Sequence, residues 1–331
     1  VGICAGAYLA GGKPAMVMQS SGLGNSMNAL MSLTRTYELP LPIITSWRGV
    51  YREEIPAQIP FNKNLPGMLK AFDIPYTIID DKSEINLIDN AICDAYENSR
   101  THVVLISPET WQKEDGCGGE EHFLHFPERE RETIVEYKKT IHEPEMTRCD
   151  AIKTIAEYLE EEAVVTNIGI PGKELYAIKD RDLNFYMLGS YSQASSIGLG
   201  IALKTKRETI VLDGDGSLLA TSILPTIAAE SPKNLSIFCL DNGTLGSTGD
   251  QLTNAYSQVD MELMAISAGI KETMKVHTEK ELQSTIEGLY HSKGPRFIHV
   301  IVKPGNVLTV ANIKLTPEQI KRRFMKAMLW L

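Results

Sequence analysis

Two short loops carry residues that could do chemistry together. The first is Gly214-Asp215-Gly216-Ser217, which follows the apolar run 209–212 and precedes a helix-like one. Glycine on either side of an aspartate lets the backbone turn sharply and approach a ligand closely. The amides of Gly216, Ser217 and Leu218 open a helix N-terminus, a ready site for phosphate oxygens. The Asp215 carboxylate is a hard oxygen ligand suited to Mg2+ or Ca2+. A plain Asp-Gly surface turn would use the same residues. The second loop weighs against that reading: the next apolar run, 235–240, ends in Asp241-Asn242-Gly243, and Asn242 follows Asp215 by 27 residues. One strand–helix–strand unit has that length. Both loops then leave the same edge of a sheet on adjacent parallel strands, where ligands of open α/β sheets bind. One carboxylate, one amide oxygen and one backbone carbonyl make half an octahedral Mg2+ shell, which diphosphate oxygens and water complete.

The elements that must position these loops alternate along the chain. Short apolar strands at 14–19, 41–46, 76–80 and 102–107 are separated by helix-like runs at 2–12, 20–33, 66–72 and 84–98. The rhythm restarts with a helix at 149–162, a strand and loop at 163–169 and a helix at 193–204. A strand and loop at 209–216, a helix at 218–230 and a strand at 235–242 follow. Helices at 261–270 and 281–292, a strand at 296–305 and a terminal helix from Thr316 close the chain. Thr316 is the expected N-cap and Pro317 the first helical residue. Apolar strands between helices predict parallel sheets covered on both faces. The expected fold is therefore α/β, with two doubly wound, mostly parallel domains at 1–112 and 147–331. The linker 113–146 between them holds ten acids against five bases, a solvated connector.

The chain has 331 residues, 43% apolar and 23% charged, with net charge −9. No basic patch with interleaved aromatics predicts a nucleic-acid partner. Five cysteines are scattered without a C-x-x-C pair, which predicts free thiols in a reducing, cytoplasmic setting. The seven histidines lack zinc spacing, His122 and His125 falling in the linker. No apolar run reaches the roughly 18 residues of a membrane span. The chain opens without Met at VGICAGAYLAGG, already helix-like, and an upstream segment is expected.

The paired motif, G-D-G-S and then an Asp-Asn pair after about one unit, resembles the signature of thiamine diphosphate (ThDP) enzymes. NFYMLGSYSQASSIGLGIAL (184–203) is similar to the segment preceding the diphosphate loop in ThDP-dependent 2-oxo acid decarboxylases. MQSSGLGNSMNALMSL, IITSWRG and DNGTLGSTG resemble the sulfopyruvate and phosphonopyruvate decarboxylases. VGICAGAYLAGGKPA, SWRGVYREEIPAQIP and GIPGKELYAIKDRDLNFYMLGS favour the sulfopyruvate group, with its two subunits fused. The resemblance covers nearly the whole chain. It implies a pyrimidine-binding first domain and a diphosphate-binding second domain. It also implies decarboxylation of 3-sulfopyruvate to sulfoacetaldehyde, a step towards coenzyme M, with phosphonopyruvate as the alternative substrate.

By the same resemblance, Asp215 and Asn242 hold Mg2+ through side chains and Thr244 through its carbonyl. Gly216 and Ser217 hold the diphosphate, and Ser190, Gly214 and Gly246 join the cofactor-binding set. The Gly189 carbonyl accepts from the 4′-amino group, and Tyr191 stands where the family places a large apolar residue beneath the cofactor. GSYSQ replaces the expected GSMG there, which leaves the loop after Tyr191 open. The loop Ser20, Ser21, Gly24 and Asn25 would face the substrate; alternatively Asn25 or Ser26 caps a helix. Arg48 either faces a sulfonate or makes an ion pair. Gln58 stands where related decarboxylases carry polar or histidine helpers. The family's activating glutamate falls just before the segment matching Val1, and Glu38, Glu53 and Glu54 are read as surface acids. A ThDP-binding partner without turnover is the other class of function, and an oligomer of at least two chains with shared sites is expected.

Overall fold

The alternation folds into two parallel sheets. In the computed structural model, residues 1–110, 142–289, 291–306 and 310–329 are described. Most of the acidic stretch, with Cys117, His122 and His125, lies outside them. β1 (Met16–Gln19), β2 (Leu41–Ser46), β3 (Tyr76–Ile79) and β4 (Thr101–Ile106) form a sheet in the order β1-β2-β4-β3. The second sheet uses β5 (Ala163–Thr166), β6 (Asn184–Tyr186), β7 (Thr209–Gly214) and β8 (Leu235–Asp241). A short antiparallel ladder follows, β9 (Thr244–Leu245) with β10 (Gln251–Leu252). β11 (Glu272–Val276) and β12 (Arg296–Ile301) complete the second sheet, whose order is β11-β12-β8-β7-β5-β6. All pairs within the two large sheets are parallel. Every residue of β4 and β8 is buried, as helices on both faces require.

β6 lies on one side of β5 and β7 on the other. The chain therefore reverses its direction of winding at the β5–β7 boundary, and the loops after these strands part to leave a crevice. Two helices fix how the units meet. Gly2–Leu9 crosses Ala194–Lys204 at glycines: a Cβ at Gly6 would come 2.0 Å from the Ile197 carbonyl oxygen, and one at Gly200 2.0 Å from that of Ile3. Ala5 and Leu9 thereby join the apolar cluster that underlies β7 and β8.

Three expectations change in detail. The helix expected over 218–230 is two pieces, Asp215–Leu219 and Ile223–Glu230. Pro225 accounts for the break, because its ring would clash with the carbonyl of residue 221 in a continuous helix. Helix Gly22–Ala29 starts earlier than the expected cap: Ser21 is the N-cap position, and Ser26 Oγ instead donates to Gly22 O at 3.1 Å. It passes into a π-helical stretch, Leu30–Arg35, where Thr34 donates to the Leu30 carbonyl at 2.6 Å and Thr36 to that of Met31 at 3.0 Å. Such back-bonding disturbs the regular ladder. β6 and β11 are strands that the residue pattern did not mark. The terminal helix Pro317–Met328 does carry Thr316 as its cap, in a box closed by Gln319.

Candidate cofactor site

Gly214 is the last residue of β7 and pairs with Leu240 of β8, so Asp215 and Asn242 both lie just past the paired edge. Both line one cavity of about 430 Å3, with Asn167 and Ile168 from the loop after β5. The β9–β10 hairpin closes one side. Thr253 donates its backbone N–H to the Gly243 carbonyl at 2.9 Å and its hydroxyl to Asp215 Oδ2. The two strand-end loops are thus tied to each other. Gly243 sits at φ +66°, the left-handed turn that glycine adopts without strain. Asn242 is buried and its amide is held at both ends: Oδ1 accepts from Thr244 N at 3.2 Å and Nδ2 donates to Thr244 Oγ1 at 3.0 Å.

Burial sets the electrostatics of the Asp215 carboxyl. Asp215 is 1% exposed. Burial first, and the Asp241 charge second, push its carboxyl up to about 7. Asp213, beneath it, is also raised by burial although Ser195 donates to it at 2.6 Å. Among the described residues no basic side chain pairs with Asp215. Arg148 lines the cavity, but its guanidinium is committed to Glu174 at 2.8 and 3.1 Å and to Asn306 at 2.8 Å. Asn306 in turn donates to the Gly246 carbonyl at 2.8 Å, which braces the loop wall. Ser217 Oγ is buried and lies near the Asp213 carboxylate, yet makes no hydrogen bond of ordinary geometry. A buried carboxylate with no basic partner among the described residues, lining one cavity with the Asn242 amide and the Ser217 hydroxyl, is a donor set that fits a divalent ion and a phosphate.

Gly214, Asp215, Gly216, Ser217, Asn242, Thr244, Gly246 and Tyr191 all line this cavity. The Tyr191 ring stands at its mouth, with the hydroxyl donating to the Gly216 carbonyl. Ser190 and Ser192, on either side of it, have φ of +66° and +68°. That loop, open in the sequence, is built with two non-glycine residues in left-handed conformation. Gly189 and Ser190 lie outside the cavity wall; a Cβ at Gly189 would meet Ser32 O at 2.6 Å, and Ser190 is buried.

The expected substrate residues gather elsewhere, at the carboxyl ends of β1 and β2, and none lines the 430 Å3 cavity. Ser20 is fully buried, donates to Asn62 Oδ1 at 2.5 Å and accepts from Arg48 N at 3.1 Å, so it also acts as a strut. Ser21 donates to Gln58 and accepts from Asn62 at 2.8 Å. Gly24 lies under Phe61, and Asn25 is exposed. Arg48 makes the ion pair, a two-point bond to Glu53 at 2.6 and 2.8 Å. Glu53 is no surface acid; its side chain is 6% exposed, and the Arg48 bond, outweighing desolvation, holds it near 2. Glu38 faces Lys321 at 3.7 Å. A larger cavity, about 560 Å3, sits at the amino ends of β3 and β4, away from these groups. Its arginines are already bound, Arg35 to Asp73 and Arg100 to Asp94.

Residues 174–300 match the thiamine pyrophosphate enzyme C-terminal TPP binding domain, which contains both strand-end loops. The chain is 47% identical to sulfopyruvate decarboxylase of Methanosarcina acetivorans, over 99% of this chain and 85% of that protein. The chain belongs to the sulfopyruvate decarboxylase family. It is a ThDP-dependent decarboxylase. Phosphonopyruvate decarboxylase of Streptomyces viridochromogenes is a more distant member, 33% identical over 97% of this chain and 81% of its own. In Methanocaldococcus jannaschii the sulfopyruvate decarboxylase is divided between subunits. Its beta subunit is 41% identical over 54% of this chain and 96% of its own, and its alpha subunit 53% identical over 22% and 44%. Among the described residues no helix is long and apolar enough to cross a membrane.

Sequence reasoning missed Asn167, Arg148, Thr253 and Asn62. Asn167 was detectable as the polar residue ending the strand beside the switch point. The others come from distant segments and carry no local signal.

Proposed function

We propose that this member of the sulfopyruvate decarboxylase family converts 3-sulfopyruvate to sulfoacetaldehyde and CO2 with Mg2+ and ThDP, a step towards coenzyme M. The observation that carries the reading is the convergence of Asp215 and Asn242 on one buried, cation-poor cavity. The Asp215 carboxylate, the Asn242 amide oxygen and the Thr244 carbonyl hold Mg2+. Gly216 and Ser217 hold the diphosphate. Tyr191 supports the cofactor from the cavity mouth, with Gly189 and Ser190 shaping its loop. When bound, ThDP supplies the nucleophilic carbon and the electron sink that make loss of CO2 possible.

Ser21, Gly24, Asn25 and Arg48 form the substrate rim. The Arg48 charge is already met by Glu53, so a headgroup arriving there finds polar donors without net positive charge. A singly charged sulfonate is easier to desolvate at such a rim than a doubly charged phosphonate. This favours sulfopyruvate over phosphonopyruvate. Because the rim and the cofactor cavity lie on different sheets, a second copy of the chain completes each site, and the units at 1–112 and 147–331 act as its two halves. Four free cysteines among the described residues support a cytoplasmic setting.

The test is an assay of CO2 release from 3-sulfopyruvate and from phosphonopyruvate, with and without Mg2+ and ThDP. Turnover of sulfopyruvate that needs both additions is expected. Turnover of phosphonopyruvate alone would overturn the substrate assignment.

A further inference from the structure

Behind the metal loop lies a histidine that no step above uses. His299 is on β12, paired in register with Cys239 of β8, and is fully buried. Its Nε2 lies 2.7 Å from Asp241 Oδ2. The other oxygen of that carboxylate accepts from Gly243 N at 3.0 Å, and the Asp241 carbonyl accepts from Val302 N at 2.9 Å. Asp241 is therefore held at three atoms on the strand end from which Asn242 emerges. The Nδ1 edge of His299 faces Asp260 Oδ1 at 3.6 Å, too far for a hydrogen bond. Asp260 caps helix Met261–Ala268, accepting from Glu262 N and Leu263 N, and pairs with Lys275. The ring thus bridges the metal loop and a capped, ion-paired framework on the neighbouring strands. An imidazole donating from Nε2 satisfies Asp241 Oδ2; a hydrophobic residue would leave that oxygen buried beside Asp215 without a donor.

We infer that His299 is a positioning residue of the metal site: its Nε2–H holds the Asp241 carboxylate, and so fixes the 241–244 turn that presents the Asn242 amide oxygen and the Thr244 carbonyl to the cation. Partners one step behind metal ligands orient them in this way. The inference rests on Asp215 and Asn242 being the metal ligands.

His299→Gln and His299→Asn separate this role from packing. Glutamine carries its N–H2 about as far as the imidazole Nε2, whereas asparagine stops near Nδ1 and loses Asp241. Calorimetric titration of Mg2+ into the protein with ThDP present reads the cation affinity directly. H299N is expected to weaken Mg2+ binding by about 10–100-fold, the usual cost of losing such a partner. H299Q is expected to stay close to the unaltered protein in Mg2+ affinity. Wild-type affinity in H299N, or an equal loss in H299Q, overturns the inference; so does a fall in melting temperature with an unchanged Mg2+ midpoint. Should H299N not fold, Asp241→Asn carries the test, since it keeps the shape and weakens the same bond; an unchanged midpoint there also overturns it. If the unaltered protein binds no Mg2+ with ThDP, the site assignment itself falls, a result distinct from any difference between variants.

Discussion

Asp215 is costly to the protein when no cation is bound. Its carboxyl, raised to about 7 by burial and by Asp241, compares with about 4 in an unfolded chain. A raised carboxyl adds stability below the unfolded value and loses it as pH rises through the folded one. The cation-free protein should therefore lose stability from this group between about pH 4 and pH 7, by an amount on the order of 1–4 kcal/mol. Asp215→Asn removes the penalty. Its melting temperature without Mg2+ should exceed that of the unaltered protein by more at pH 8 than at pH 5. Added Mg2+ with ThDP should stabilise only the unaltered protein. Equal melting curves for the two at both pH values would contradict this account. Ser192, left-handed at φ +68°, gives a second prediction: Ser192→Gly should be tolerated and change stability by roughly 0–1 kcal/mol in the favourable direction, measured by urea unfolding.

At the level of elements, the decisive contact is between units. Tyr37 is fully buried, donates its hydroxyl to the Tyr186 carbonyl at 2.7 Å and accepts from Leu188 N at 2.7 Å. It thus clamps the end of β6 where the Gly189–Tyr191 loop begins. Its ring packs on Phe185 with centroids 5.0 Å apart. Tyr37→Phe keeps the ring and leaves a buried carbonyl and amide unpaired. The expected cost is about 1–3 kcal/mol in denaturant unfolding, with weaker ThDP binding. A variant as stable as the parent would mean that water replaces the hydroxyl.

At the scale of the whole molecule, the proposed cofactor groups and the proposed substrate groups stand on different sheets. The 430 Å3 cavity holds Asp215 and Asn242, while Ser21, Asn25 and Arg48 stand on the other sheet's rim. Apolar side chains are exposed on both: Leu252 and Tyr256 beside the cavity, Val50 and Ile55 near the rim. If sites form between copies, Asp215→Asn and Arg48→Ala chains, each inactive alone, should recover part of the activity when co-expressed. No recovery would place both halves of a site in one chain.

The sequence by itself determined the alternation of strands and helices, the rim on which two loops emerge, and the Asp215 and Asn242 side chains that meet in one cavity. These follow from local patterns, apolar strand runs and glycine flanking an aspartate, whose physics acts within one strand–helix–strand unit. It was weaker where elements are short or at sheet edges: β6 has three residues, and β11, Glu-Thr-Met-Lys-Val, alternates too weakly to stand out. Only the tertiary structure decided that Ser20 is a strut, that Arg48 is spent on Glu53, that Thr253 joins Asp215, and that His299 stands behind Asp241. Each of these pairs a side chain with a partner whose distance along the chain is set by packing, so no spacing in the sequence encodes it.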